Sequence, residues 1–290
     1  MSVSHPIIAV TGSSGAGTST AKHAFEDIFR RGGIRPVVVE GDSFHCYDRK
    51  EMRAEVIKAD EQGQSLTHFG PEANCLDRLE ALFQSYSETG RGERRFYIHS
   101  DAEGIPFNQP AGTFTPWEEI DGNSDLLFYE GLHGGVVTDE VNIARFVDLM
   151  IGVVPVINLE WIQKIKRDCA NRGYSQEAVV DIILKRMPDY IHHITPQFSR
   201  THINFQRVPL IDTSNPFVMR EIPTPDESLV VIRFKDPKMA DFPYYLSMLK
   251  DSFMSRPNNL VVPAAKMGLA MKIILTPFIE AMVERKRKHG

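Results

Sequence analysis

The apolar positions of this chain fall into short solid runs separated by stretches with helical spacing. Ile7, Ile8, Ala9 and Val10 form the first run and read as a buried parallel strand. Ala21, Phe25, Ile28 and Phe29 then share one face of a predicted helix, which Gly32 and Gly33 end. Val37, Val38, Val39 and Glu40 read as a second strand. Residues 50–90 read as helical, with Leu76, Leu79, Leu82 and Phe83 in an apolar stripe, and residues 94–98 resemble a short strand. Residues 101–124 are rich in Pro, Gly and Asp and predict a long loop, a kind of segment that often carries function. Two more apolar runs, 126–131 and 149–154, predict buried strands joined by a short helical crossover at 142–146.

Residues 158–188 change character. They carry Lys164, Lys166, Arg167, Arg172, Lys185 and Arg186, with only a modest apolar face from Ile162 and Ile165. Beyond them, 203–205, 208–211 and 229–234 look like strands separated by turns, and 260–262 is a last short one. A closing helix carries Met267, Leu269, Met271, Ile274, Leu275, Phe278 and Met282. Its basic end, Arg285 to Lys288, suits a solvated helix C-terminus. Strands alternating with helices predict an α/β fold: a mostly parallel, doubly wound sheet flanked by helices, with an antiparallel edge or extension in the C-terminal part. No stretch divides the chain cleanly, so residues 1–290 are read as one domain with a loop insertion near 100–124.

The turn after the first strand brings in chemistry. Gly12, Ser13, Ser14, Gly15, Ala16, Gly17, Thr18, Ser19 and Thr20 stand between a strand and a helix, the context that makes a phosphate-binding loop credible. Glycines let backbone N–H groups approach an anion, and the helix N-terminus adds partial positive charge. Gly12, Gly17 and Ser19 fit G-x-x-x-x-G-K-[ST], with Ser19 where a hydroxyl would hold Mg²⁺. Thr18 occupies the lysine position, so a functional loop needs a cation from elsewhere, and a turn that binds nothing is the alternative.

Composition narrows the setting. The chain has 290 residues, a formal net charge of −5, 42% hydrophobic and 24% charged residues, which is ordinary for a globular protein. That charge gives no whole-chain electrostatic case for nucleic acid or anionic membrane. A basic region followed by an apolar run is missing at the N-terminus, and no apolar stretch approaches ~18 residues. No signal peptide or membrane span is expected, and a cytoplasmic location follows by default. Cys46, Cys75 and Cys169 lack C-x-x-C spacing, which argues against structural zinc and against a disulfide framework.

Phosphoryl transfer to an alcohol needs held phosphates, a metal held by carboxylate, and a base near the hydroxyl. Glu130 ends an apolar strand, where a metal-associated carboxylate belongs, although an ordinary strand-end acid fits as well. Asp42 follows the second strand and can accept a proton, or serve as a turn or cap residue. His45 and Arg49 lie close after it and can hold an anionic acceptor. Their plainer roles are a hydrogen-bonded structural histidine and an ion pair of Arg49 with Asp48. On a helix, Lys164, Arg167 and Asp168 share a face. A mobile lid near 158–175 could thus supply the missing cation, while an exposed basic helix is the alternative.

Taken together, residues 12–20, 40–45 with Arg49, 127–133, 153–165 and 212–217 resemble the bacterial phosphoribulokinases over essentially the whole chain. Thr18 in place of lysine belongs to that pattern. The resemblance implies ATP-dependent phosphorylation of the 1-hydroxyl of D-ribulose 5-phosphate for carbon fixation. It makes Asp42 the general base, Glu130 a metal carboxylate, and His45, Arg49 and Arg172 sugar-phosphate ligands. Lys164, Arg167, Asp168 and Arg172 become the lid. It further implies octamers, activation by NADH, inhibition by AMP, and a regulatory part for Arg31, Arg233 and Arg256. Plant-type relatives carry a redox cysteine in the phosphate loop that is missing here, so thioredoxin-type control is not expected; Cys46 beside His45 leaves blocking by thiol reagents open. Two other functions remain open: a uridine- or pantothenate-type kinase, and a nucleotide-binding regulator without turnover.

Overall fold

The computed structural model describes residues 4–13, 17–219 and 221–289, with the backbone alone at 19, 171, 172 and 289. Ser14, Gly15 and Ala16 of the predicted loop lie outside the described residues, as do the side chains of Ser19 and Arg172. In chain order the elements begin β1 (Ile7–Thr11), α1 (Thr18–Gly32), β2 (Pro36–Glu40), α2 (Arg49–Glu61) and α3 (Leu76–Thr89). Next come β3 (Gly92–Arg94), α4 (Asp101–Gly104), β4 (Glu118–Ile120), β5 (Leu126–Gly131) and β6 (Leu149–Val154). After α5 (Ile157–Arg172) and α6 (Gln176–Asp189) follow β7 (Ile203–Pro209), β8 (Ser228–Phe234), α7 (Phe242–Met248), β9 (Phe253–Arg256), β10 (Asn259–Pro263) and α8 (Met267–His289).

An eight-stranded sheet runs β2-β5-β1-β6-β7-β8-β10-β9. Its first five strands are parallel and its last three pair antiparallel, as the hydrophobic pattern predicts. β1 is buried at every position because it is covered on both faces and flanked by β5 and β6. Alternate residues of β1 enter different cores. Ile8 and Val10 pack with Phe25 and Phe29 of α1, Phe128, and Met271, Ile274 and Leu275 of α8. Ile7 and Ala9 pack with Leu79, Phe83 and Tyr86 of α3, together with Val37, Val39 and Tyr129. Each of the larger aliphatic and Phe side chains contributes roughly 1.5–3 kcal/mol by leaving water.

Local signals set the helix ends. Gly17 (φ 107°) and Gly33 (φ 57°) bracket α1, and the Gly33 N–H reaches the Phe29 carbonyl. α2 starts on a capping box: Asp48 accepts from Lys50 N and Glu51 N, and Glu51 reaches back to Asp48 N. Asp48 is therefore committed to the helix start, and the expected Asp48–Arg49 ion pair does not form.

The structure departs from the sequence expectation in five places. Residues 50–90 form two helices, broken where Gly63 takes φ 68° and Pro71 opens a short 3-10 turn. The strand expected at 94–98 is β3 at Gly92–Arg94, which pairs antiparallel with β4. Tyr97 meets Phe114 in a bridge, and Ile98 N–H donates to Thr113 O at 2.9 Å. The region read as a loop at 101–124 is thus folded back and hydrogen-bonded, with α4 capped by the Ser100 hydroxyl. Residues 208–211 are no separate strand: β7 runs on through Pro209, and Leu210 and Ile211 are exposed. β9 carries exposed or half-buried side chains and gave no apolar run to read.

Candidate active site

Three glycines gather the site at one end of the parallel strands. A Cβ on Gly12 would sit 2.6 Å from the Val153 carbonyl oxygen of β6. One on Gly41 would meet the Tyr129 hydroxyl at 2.6 Å and Gly131 Cα at 2.8 Å. Gly12 N–H also donates to Gly131 O at 3.3 Å. These approaches need residues without side chains. They seat the ends of β1, β2 and β5 against each other, so Asp42 and Glu130 come to the same edge as the phosphate-loop residues Gly12, Ser13, Gly17, Thr18 and Thr20. β5 lies between β1 and β2, with Glu40 opposite Glu130 and Gly131 opposite Thr11 in register.

Glu130 is crowded by like charge. Burial first, then Asp42 and Glu40, push its carboxyl up to about 7, against the opposing effects of Lys22 and a hydrogen bond from Thr18. Thr18, at the lysine position of the loop, thus spends its hydroxyl on this acid. Lys22, one turn further along α1, donates to Glu40 Oε1 at 2.9 Å. That bond raises the Lys22 amine above its ordinary range. A cation therefore stands beside the acid pair although the loop itself has none.

Asp42 is half-buried and faces two imidazoles. Its Oδ1 is 3.4 Å from His45 Nε2 and its Oδ2 is 4.0 Å from His99 Nε2. Burial opposes its ionisation, but the hydrogen bond and charge of His45, with His99 and His68, outweigh it and hold the carboxyl at about 2. Asn74 orients His45. Its amide donates to His68 O at 3.0 Å and to Gly70 O at 2.6 Å, which leaves Asn74 Oδ1 to accept from His45 Nδ1 at 2.8 Å. Nδ1 therefore carries the proton that Asn74 accepts, and Nε2 faces Asp42, to which it donates in the imidazolium form. The His45 ring also lies 4.1 Å from the His68 ring. Burial drives His68 down to about 3 and His133 to about 4, so both are neutral at pH 7.

Arg49 opens α2 and donates from Nη2 to His99 O at 3.1 Å. Its backbone N–H bonds Gly112 O at 2.9 Å, tying it to the folded-back 97–114 segment. Asp42, His45, His99 and Arg49 therefore line one edge. Nothing in the local pattern marked His99, His68 or Asn74; only the return of the 97–114 segment and the turn before α3 brings them in.

On α5, Lys164 Nζ meets Asp168 Oδ2 at 2.6 Å and Arg167 Nε meets Oδ1 at 2.9 Å. The predicted shared face is present, with both cations gathered on the Asp168 carboxylate. α5 packs against α6 through Ile165, Val179 and Ile183. Glu160, one turn before Lys164, is buried; burial raises its carboxyl, opposed by the Ser13 hydroxyl and by Lys164. The helix thus lies against the second residue of the phosphate loop, whose buried hydroxyl makes no geometric hydrogen bond. Between them lies a cavity of about 230 Å³, lined by Gly17, Thr20, Val156, Leu159, Arg207 and Met267 among others. Arg207 and Met267 come from β7 and α8, far away in sequence, and carried no motif.

Arg233 and Arg256 both stand opposite Asn259, on the strands either side of β10. Arg233 is exposed and alternates with Ile232 and Phe234, which face the core shared with α1. Arg31, in the last turn of α1, lies on the other side of the sheet from Arg233.

Among the described residues no group of three or more His, Cys, Asp or Glu would hold a metal, and no helix is long and apolar enough to cross a membrane. Mg²⁺ commonly takes one or two carboxylates and completes its shell with substrate phosphates and water. The oxygen-only set at Glu130, with its mutual repulsion, fits such an ion.

Comparison with known proteins shows the family. The model of the phosphoribulokinase / uridine kinase family matches residues 7–214. The chromosomal phosphoribulokinase of Cupriavidus necator is 62% identical over 289 residues, 99% of each chain. That of Sinorhizobium medicae is 59% identical over 288 residues, again 99% of each. A solved phosphoribulokinase from Rhodobacter spheroides superposes with a TM-score of 0.91 at 55% identity, covering 99% of this chain and 100% of that one. With similarity of this depth along nearly its whole length, the chain belongs to the phosphoribulokinase / uridine kinase family.

Proposed function

We propose that this chain transfers the γ-phosphoryl group of ATP to the 1-hydroxyl of D-ribulose 5-phosphate, giving ribulose 1,5-bisphosphate and ADP for the Calvin cycle. The observation that carries the reading is the meeting of Asp42, Glu130 and the Gly12 turn at one sheet edge. The names of the relatives supply the acceptor. Residues 12–20 cradle the triphosphate with backbone N–H groups, and the cavity beside Gly17 and Met267 takes the adenosine. Glu130 and Ser19 hold Mg²⁺, which when bound neutralises charge on the phosphates. Asp42 accepts the hydroxyl proton. A carboxylate held at about 2 is a weak base, which suits a loose transition state that needs little proton removal until phosphoryl transfer is under way. His45, Arg49 and Arg172 hold the sugar phosphate. Lys164, Arg167 and Asp168 act from a lid at 158–175, whose cations exchange Asp168 for phosphate oxygens on closure.

The reading extends to one kinase domain over residues 1–290, a cytoplasmic enzyme, and an octamer in which NADH activates and AMP inhibits. In it, Arg31, Arg233 and Arg256 serve the effectors. The separation of Arg31 from Arg233 by the sheet favours effector contacts drawn from more than one subunit.

A coupled ADP-release assay with ribulose 5-phosphate, uridine and pantothenate as acceptors, with and without NADH, tests this. Turnover confined to ribulose 5-phosphate supports it, and preference for another acceptor overturns it. Arg49→Ala is expected to raise the KM for ribulose 5-phosphate by ~10-fold or more, the scale of a lost charge-assisted hydrogen bond, with a smaller effect on kcat. An unchanged KM removes Arg49 from the acceptor site. Asn74→Leu frees His45 to rotate. It is expected to weaken acceptor binding by a few-fold, read as a raised KM for ribulose 5-phosphate with kcat changed less.

A further inference from the structure

Cys46 and Cys75 have no part in the mechanism above, yet their sulfurs lie 2.6 Å apart. That is far closer to the ~2.05 Å of a covalent S–S bond than to ordinary non-bonded contact. The approach is set by backbone, not by wandering side chains. Cys46 N–H donates to Ala73 O at 2.9 Å and Cys75 N–H to Phe44 O at 2.8 Å, on either side of the His45–Asn74 bridge. Cys46 is exposed and Cys75 partly so, which leaves the pair open to small reagents. Cys169 is elsewhere, packed beside Ile165 and Val179 between α5 and α6. The two thiols are also unequal. The hydrogen bond from Cys46, then the charges of Arg95 and Arg78, bring Cys75 down to about 7 against the effect of burial, while hydrogen bonding to Cys75 and burial push Cys46 up.

We propose that Cys46 and Cys75 form a dithiol modification site that closes to an intramolecular disulfide on meeting a low-molecular-weight disulfide such as oxidised glutathione. The Cys75 thiolate attacks one sulfur of the oxidant, whose S–S bond breaks and releases one small thiolate. Cys46 then loses its proton to solvent and attacks Cys75 Sγ in the mixed disulfide, expelling the second small thiol. Two electrons pass from the protein dithiol to the oxidant, which ends as two thiols. The sulfurs are already in place, so the bond forms on the native backbone. It ties the segment carrying Asp42 and His45 to the one carrying Asn74, and it restricts the unfolded chain over a separation of 29 residues.

The test uses the full-length protein incubated with oxidised glutathione under anaerobic conditions. Free thiols are expected to fall from three to one, with peptides containing Cys46 and Cys75 joined and Cys169 still open to alkylation. Tm is expected to rise by ~5 °C or more, and dithiothreitol to reverse both changes. Cys46→Ser is expected to stop at a glutathione adduct on Cys75 and to show no rise in Tm. Cys75→Ser should form no cross-link. A wild-type protein that keeps the mixed adduct, leaves all three thiols free, or joins Cys169 overturns the proposal. A cross-linked protein with unchanged or lowered Tm overturns it too, since the native backbone would then not accept the bond.

Discussion

Asp42→Asn is expected to lower kcat by at least ~100-fold while affinity for ATP changes little, the usual scale for loss of a general base. Asparagine keeps the shape of the side chain and an oxygen that can face His45, so the edge stays assembled. What it loses is the capacity to take a proton from the attacking hydroxyl. Steady-state kinetics with ribulose 5-phosphate, beside equilibrium nucleotide titration, separate the two effects. A loss smaller than tenfold removes Asp42 from the role of base. A second consequence follows from the neighbouring acid. Asp42 helps to hold Glu130 up near 7, so neutralising it lets Glu130 ionise at lower pH. The residual activity of the variant should therefore persist to more acid pH than that of the wild type.

Glu130→Gln is expected to cut kcat by on the order of 100-fold or more, through loss of the charge proposed to hold Mg²⁺. The same substitution should stabilise the protein in the absence of nucleotide. Glu130 has its carboxyl raised, so the folded protein binds that proton more tightly than the unfolded chain does. Its favourable contribution is complete below the ordinary glutamate range and disappears as pH rises through about 7. At pH ~8 (above that value) a buried carboxylate repelled by Asp42 and Glu40 remains, costing roughly 3 kcal/mol. Glutamine removes that repulsion. Tm of the variant should exceed that of the wild type at pH ~8 and the gap should close toward pH ~5, where the wild-type acid is protonated. The wild-type kcat/KM should likewise fall as pH drops below about 7, and any residual activity of the variant should lack that limb. Equal Tm values across this range would show that Glu130 is not held under repulsion.

The legible part of the site lay in contiguous stretches. Residues 7–20 announced a strand, a glycine turn and a helix because each signal is local: an apolar run, residues free of a side chain, then a 3.6-residue period. Asp42 and Glu130 were legible as strand-end acids for the same reason. The meaning of Thr18 was not. Its hydroxyl serves Glu130, and the nearby cation is Lys22, whose partner Glu40 comes from another strand. His99, His68, Asn74 and Arg207 were likewise silent, since each reaches the site through a turn or pairing made by residues far away in the chain. The 101–124 segment shows the limit for the fold. Its composition reads as loop, yet pairing of 97 with 114 and of β3 with β4 orders it against α2.

By itself the sequence determined the alternation of strands and helices, the parallel core with its antiparallel edge, the phosphate-loop turn and the acids at the strand ends. Those follow from side-chain periodicity and glycine's freedom, which act over a few residues. Only the tertiary structure decided that β5 lies between β1 and β2, that three glycines close the strand ends together, that His45 and His99 face Asp42, and that Asn74 meets His45 beside a pair of thiols. Such meetings depend on which surfaces bury each other most completely, a property of the whole packed chain that no local window contains.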